Sequence, residues 1–185
     1  NVTLDSTSPQ LTGFSMDLNT NILLLCFSET VQSSTLNVSG VTIQINSSML
    51  GLLTYTLVSS NTTLLSGPTI VVNFSMADVN QIKTILALAG NGSSVSIVLT
   101  SGAINDTYGN PVVAAINLPV LSIIPNAIPP TIACFSLNLS TNELALTFNE
   151  PVDPLSVNIT KFILLQSRGS NNSIQLFSAT KTSLP

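Results

Sequence analysis

The stretch Gly13–Gln32 reads GFSMDLNTNILLLCFSETVQ, and Cys134–Asp153 reads CFSLNLSTNELALTFNEPVD. Phe14 aligns with Phe135 at an offset of 121 residues, and Asn37 aligns with Asn158 at the same offset. A chain that repeats itself at a fixed distance folds as successive copies of one unit, so the repeat constrains architecture before any chemistry is considered. The 185 residues hold one complete copy and the beginning of a second.

Inside each copy the pattern has period two. Phe14, Met16 and Leu18 alternate with Ser15, Asp17 and Asn19; Leu23, Leu25 and Phe27 alternate through the next segment, and Asn19–Asn21 lies between them as a turn. This alternation predicts a half-buried hairpin. The second copy repeats it with Leu144, Leu146 and Phe148 inward and Glu143, Ala145 and Thr147 outward. Further strands are expected at Val41–Ile45, Leu52–Val58, Thr69–Met76, Ser94–Leu99 and Val112–Ile123. Ser75–Gly90 departs from the pattern: Val79, Ile82, Ile85 or Leu86, and Ala89 recur at helical spacing, Ser75 or Asp78 can cap the start, and Gly90 can end the helix. The expectation is all-β: immunoglobulin-like β-sandwich repeats with one short helix each, residues 1–124 forming the first. The proline-punctuated 125–130 is the joint, and 131–185 begins the second repeat, completed by further chain or by a neighbouring protomer.

Only 6% of the residues are charged, and mean hydropathy is +0.52, so charge is not what solubilises the chain. Asn-x-Ser/Thr triplets occur at Asn1, Asn37, Asn46, Asn61, Asn73, Asn91, Asn105, Asn138, Asn158 and Asn171. Those are ten of 19 asparagines, where the 47 serines and threonines would place about five by composition alone. Asn73 lies on the strand face opposite Ile70, Val72, Phe74 and Met76, and Asn138 lies opposite Phe135, Leu137 and Leu139. These are outward positions, which predicts N-linked glycans and a eukaryotic secretory route to the extracellular space or cell surface.

Other function classes fall away. Net charge is −4, and the four basic residues Lys83, Lys161, Arg168 and Lys181 are scattered singly, without the basic stripe that nucleic acid requires. The longest apolar run, Val112–Pro125, is broken by Asn117 and Pro119 and falls short of the roughly 20 residues of a membrane-spanning helix. The chain opens Asn-Val-Thr, without Met or a leader pattern, as a piece of a longer processed protein would. There is no histidine, which removes the usual general base and the commonest metal ligand together. The carboxylates Asp5, Asp17, Glu29, Asp78, Asp106, Glu143, Glu150 and Asp153 have no motif that would build a catalytic cleft around them. No enzyme, no catalytic residue and no resident cofactor or metal is expected, although Glu29, Asp106, Glu150 and Asp153 offer oxygens for calcium at a joint between units. Cys26 and Cys134 sit at non-equivalent positions of the repeat and face outward. They offer a disulfide between adjoining units or between protomers; two separate thiols shielded by packing are the alternative. Outward Ile22 and Leu24 are replaced by Glu143 and Ala145 in the second copy, which leaves an apolar patch on the first copy alone, used for protein contact or covered by its own domain.

FSETV (Phe27–Val31), FNEPVD (Phe148–Asp153) and INDTYGNPV (Ile104–Val112) resemble the Ig-like repeats of the bacterial S-layer type. In those repeats a Phe-x-Glu-x-Val-Asp strand end is followed, late in the domain, by Asp-x-x-Gly-Asn. The resemblance spans about residues 9–124, and 130–166 again. With DVNQIK (Asp78–Lys83) the chain looks like the tandem arrays of surface and mastigoneme proteins of algae and other unicellular eukaryotes. The resemblance implies a structural subunit of a glycosylated filament or coat, self-associating and exchanging strands between protomers. An adhesin or receptor stalk is the alternative.

Overall fold

The computed structural model describes residues 3–63, 65–90, 92–169, 171–177 and 179. The chain divides into two compact units, Asn1–Pro129 and Pro130–Pro185, and it is mostly β.

The first unit contains β1 (Leu11–Asp17), β2 (Ile22–Val31), β3 (Val41–Ser47), β4 (Gly51–Thr56), β5 (Asn61–Thr62), β6 (Gly67–Asn73), the helix α1 (Met76–Ala89), β7 (Ser94–Leu99), β8 (Ala115–Pro119) and β9 (Ser122–Ile124). They form a five-stranded sheet in the order β5-β6-β2-β1-β9 and a four-stranded sheet in the order β4-β3-β7-β8. All pairings are antiparallel except β1 with β9, which is parallel. Alternation explains the packing. Phe14, Met16, Leu23, Leu25, Ile70 and Val72 from one sheet and Val41, Ile43, Ile45, Ile97 and Leu99 from the other are all buried in one hydrophobic cluster. Each such side chain stabilises the fold by roughly 1.5–3 kcal/mol relative to exposure.

The helix has the ends that its sequence indicates. Ser75 caps it, its side chain accepting from the Asp78 N–H, and Gly90 follows the last turn at φ 73°. Val79, Ile82 and Ala89 are buried against the core. Met76, grouped with the inward strand residues by alternation, instead opens the helix and is 54% exposed, because β6 stops at Asn73.

A second departure concerns Val112–Ile123. That run is two strands in different sheets: β8 pairs with β7, and β9 pairs with β1. Pro119, lacking an N–H, ends the first, and Asn117 at φ 55° bends the chain just before it. The two-residue β5 is too short to leave a periodic signal.

The second unit contains β10 (Ile132–Asn138), β11 (Glu143–Phe148), β12 (Ile163–Leu165) and β13 (Ser173–Gln175), as two separate hairpins. Each register pair of β10 with β11 has a counterpart in β1 with β2 shifted by 121 residues, from Ile132↔Phe148 for Leu11↔Phe27 to Asn138↔Glu143 for Asp17↔Ile22. The bulge falls at the same place in both, and Asn21 and Asn142 take φ 59° and 55° at the same turn position. The 3-10 turns Ser33–Thr35 and Val38–Gly40 have counterparts at Pro154–Ser156 and Ile159–Lys161. Among the described residues this unit has no α-helix; at the repeat offset, the counterpart of α1 lies past Pro185.

Candidate functional site

Seven of the sequon asparagines are exposed: Asn37, Asn46, Asn61, Asn73, Asn138, Asn158 and Asn171. Asn105 is half-buried, its N–H donating to Thr35 Oγ1 and its carbonyl accepting from the Gln32 N–H. Asn1 and Asn91 lie outside the described residues. Local chemistry sets several of these positions. Asn37 Oδ1 accepts from the N–H (3.1 Å) and hydroxyl (2.7 Å) of Ser39 as it starts a 3-10 turn, and Asn158 treats Thr160 in the same way at 3.1 and 2.8 Å. Asn138 Oδ1 accepts the N–H groups of Ser140 and Thr141 in the hairpin turn. Such bonds fix the side chain by its oxygen, the amide nitrogen being the atom that a glycan would use. Asn61 and Asn73 are direct cross-strand partners on β5 and β6.

On the outward face of the five-stranded sheet, Asn73 is opposite Ile22, Ile22 is opposite Asp17, and Asp17 is opposite Ile124. Beside this row lies a groove of about 410 Å³ whose lining includes Ile22, Leu24, Val71 and Ile124 together with Ser15, Asp17, Thr20 and Ser122; Asp17 lies between Ile22 and Ile124, and Ser15 between Leu24 and Ser122. Ile22, Leu24 and Val71 are half-buried and Ile124 is exposed, and α1 packs chiefly on β3 and β4 of the other sheet. A hydrogen bond with Thr20 leads the causes that lower the Asp17 pKa, so the groove edge carries a negative charge at neutral pH.

Among the described residues one acidic cluster could face a cation. Asp5, Glu29 and Asp106 bring carboxylate oxygens within 4.8 Å of one another. From the sequence, Glu29, Asp106, Glu150 and Asp153 are the oxygens offered for calcium at a joint; within the first unit it is Asp5 that lies with Glu29 and Asp106. Asp106 is buried and already committed to its turn, accepting from the N–H groups of Tyr108 (2.8 Å) and Asn110 (2.7 Å) and from Asn110 Nδ2 (2.7 Å). Burial raises its pKa and these bonds outweigh burial, so the net shift is downward. Glu29 is pushed up, first by burial and then by the charges of Asp5 and Asp106. Asp153 caps its own 3-10 turn through the Leu155 N–H at 2.9 Å.

Asp78, in the sequence a candidate helix cap and one of the scattered carboxylates, is a polar site whose partners sequence reasoning does not reveal. Its buried carboxylate accepts from Tyr55 OH (2.8 Å), the N–H groups of Val58 (2.9 Å), Ser59 (3.0 Å) and Ser60 (2.8 Å), and Ser60 Oγ (2.6 Å). Burial opposes ionisation, but the hydrogen bonds led by Ser60 outweigh it and bring the pKa down to about 2. Tyr55 is correspondingly pushed up to about 12, by burial and then by Asp78. The only sequence signal was an acidic residue in a helix's first turn downstream of a Ser-Ser pair. The network straps the segment after β4 onto the start of α1 and has no open face for a substrate.

Cys26 is half-buried on β2 and Cys134 exposed on β10; both are free thiols.

No family model matches the chain. Neither a curated protein nor a solved structure gives a match. No helix among the described residues is long and apolar enough to cross a membrane.

Proposed function

We propose that the chain is a structural segment of an extracellular, N-glycosylated filament or surface coat, similar to a mastigoneme, built from tandem immunoglobulin-like sandwich units. The observation that carries this reading is the placement of the sequons: seven stand exposed on strands and turns of a chain with only 6% charged residues. Glycans at those asparagines supply the hydration that charged side chains supply elsewhere, and sandwich units in series supply stiffness. The recurrence of one hairpin register at an offset of 121 residues supports the tandem arrangement. Phe135 and Leu139 of the second hairpin are exposed within the 185 residues, and this reading gives them contact with a neighbouring protomer or with further chain. A neighbouring protomer or further chain completes that face by pairing with its open edges.

The test is electron microscopy of the material as isolated, before deglycosylation. Uniform filaments with extra density at Asn37, Asn73, Asn138 and Asn158 are expected. Monodisperse flexible rods would replace this reading with an adhesin or receptor stalk, and bare asparagines would remove its account of solubility.

A further inference from the structure

Resting on the glycoprotein reading, we propose that the groove on the five-stranded sheet is the seat of the first N-acetylglucosamine residues of a glycan on Asn73. Asn73 is exposed at the β6 side of the groove, directly across from Ile22 and two residues along the same face from Val71. Cross-strand neighbours on one face stand about 5 Å apart, within the span of one sugar ring. A pyranose has an apolar C–H face and a rim of hydroxyls. The groove has the matching form, with Ile22, Leu24 and Val71 beside Asn73 as an aliphatic stretch and with Asp17, Ser15 and Thr20 beyond it to accept and share hydrogen bonds.

The second unit supplies an internal contrast. There the counterparts of Ile22 and Leu24 are Glu143 and Ala145, and the sequon sits on Asn138, the counterpart of Asp17 and the cross-strand partner of Glu143. Beside Asn138, the two positions that Ile22 and Leu24 hold in the first unit carry no large aliphatic side chain. The same lateral row of the hairpin therefore carries a seated sugar in the first unit and a free one in the second.

Attachment precedes folding of this site. In the fold, the hydroxyl of the sequon's Ser75 caps α1 and bonds Ser59 Oγ at 2.7 Å, and Phe74 between them is buried. The Asn73 amide nitrogen forms its bond to the anomeric carbon of a lipid-pyrophosphate-linked oligosaccharide while the segment is still extended. The pyrophosphate leaves, the amide loses one proton, and the sugar settles on the groove as the sheet closes.

The experiment uses the full chain secreted from a eukaryotic host and follows, by glycopeptide mass spectrometry, release of each glycan by peptide N-glycosidase under native conditions. Release at Asn73 is expected about tenfold slower than at Asn138 and Asn37, a factor that corresponds to about 1.4 kcal/mol, with the difference gone after denaturation. Ile22→Glu and, separately, Leu24→Ala install the second unit's residues and bring Asn73 to the rate of Asn138. Asn61→Gln leaves the protection in place. Equal rates in the unsubstituted chain, or protection that disappears in Asn61→Gln and so comes from crowding between neighbouring glycans, would overturn the inference. A bare Asn73 beside occupied Asn37 and Asn138 overturns it while sparing the glycoprotein reading; bare asparagines throughout overturn both.

Discussion

Phe14 and Phe135 hold the same register position in two copies of one hairpin, facing Leu25 and Leu146, yet Phe14 is 0% and Phe135 64% exposed. Phe14→Ala opens a cavity in a packed core and should cost about 3–5 kcal/mol in the urea unfolding of the first unit. In the 185-residue chain, where Phe135 is 64% exposed, Phe135→Ala should cost under about 1 kcal/mol. Equal losses would mean that the second hairpin is covered in solution.

Asp78 ties pH to stability. Its folded pKa of about 2 lies below the ordinary 3.8, so its contribution is complete above about pH 4 and is lost as pH falls through 2. The shift corresponds to roughly 2 kcal/mol. In Asp78→Asn the amide turns donors toward groups that are themselves donors. A stability loss of about 2–4 kcal/mol at pH 7 is expected, together with a flatter acid limb in denaturation curves from pH 7 to 2.

Gly40 has no room for a side chain. A Cβ there would lie 2.6 Å from Thr100 Oγ1 and 2.7 Å from the Ala103 Cβ, with the Ala103 backbone at 3.2 Å, so the obstruction cannot rotate away. Gly40→Ala should lower the midpoint of thermal unfolding, at a cost of about 1–3 kcal/mol. Its counterpart Lys161 is exposed, and Lys161→Ala should leave the midpoint in place.

Asn21 and Asn142 adopt left-handed conformations at matching turn positions. Asparagine enters this region more readily than alanine does, and glycine enters it without a Cβ clash. Asn21→Ala should cost about 1 kcal/mol and Asn21→Gly only a few tenths, read from the same denaturation curves.

Legibility in the sequence followed the range of the forces involved. The β1–β2 hairpin and the ends of α1 were readable because alternation, an Asn-rich turn, Ser75 and Gly90 act over a few residues. The Asp106–Asn110 turn was readable for the same reason, with Gly109 at φ 90°. The division of Val112–Ile123 between sheets was not, since apolar alternation cannot say which partner a strand takes. Asp78 was hidden because its donors come from residues 55–60, brought to it only when the helix docks. The row from Asn73 through Ile22 to Ile124 was likewise invisible, because register across four strands is a tertiary property. Outward sequons at Asn73 and Asn138 needed only period-two reasoning.

The parallel pairing of β1 with β9 joins the first strand of the unit to its last, through Ser15↔Ser122, Met16↔Ile123 and Asp17↔Ile124. The hydrogen bonds from the Leu121 N–H to Phe14 and from the Leu18 N–H to Ile124 extend that seam. Tension applied along the chain pulls these two strands past each other lengthwise, so the seam is loaded in shear and its bonds must break together rather than peel one after another. A unit joined in this way resists stretching applied at its own two ends.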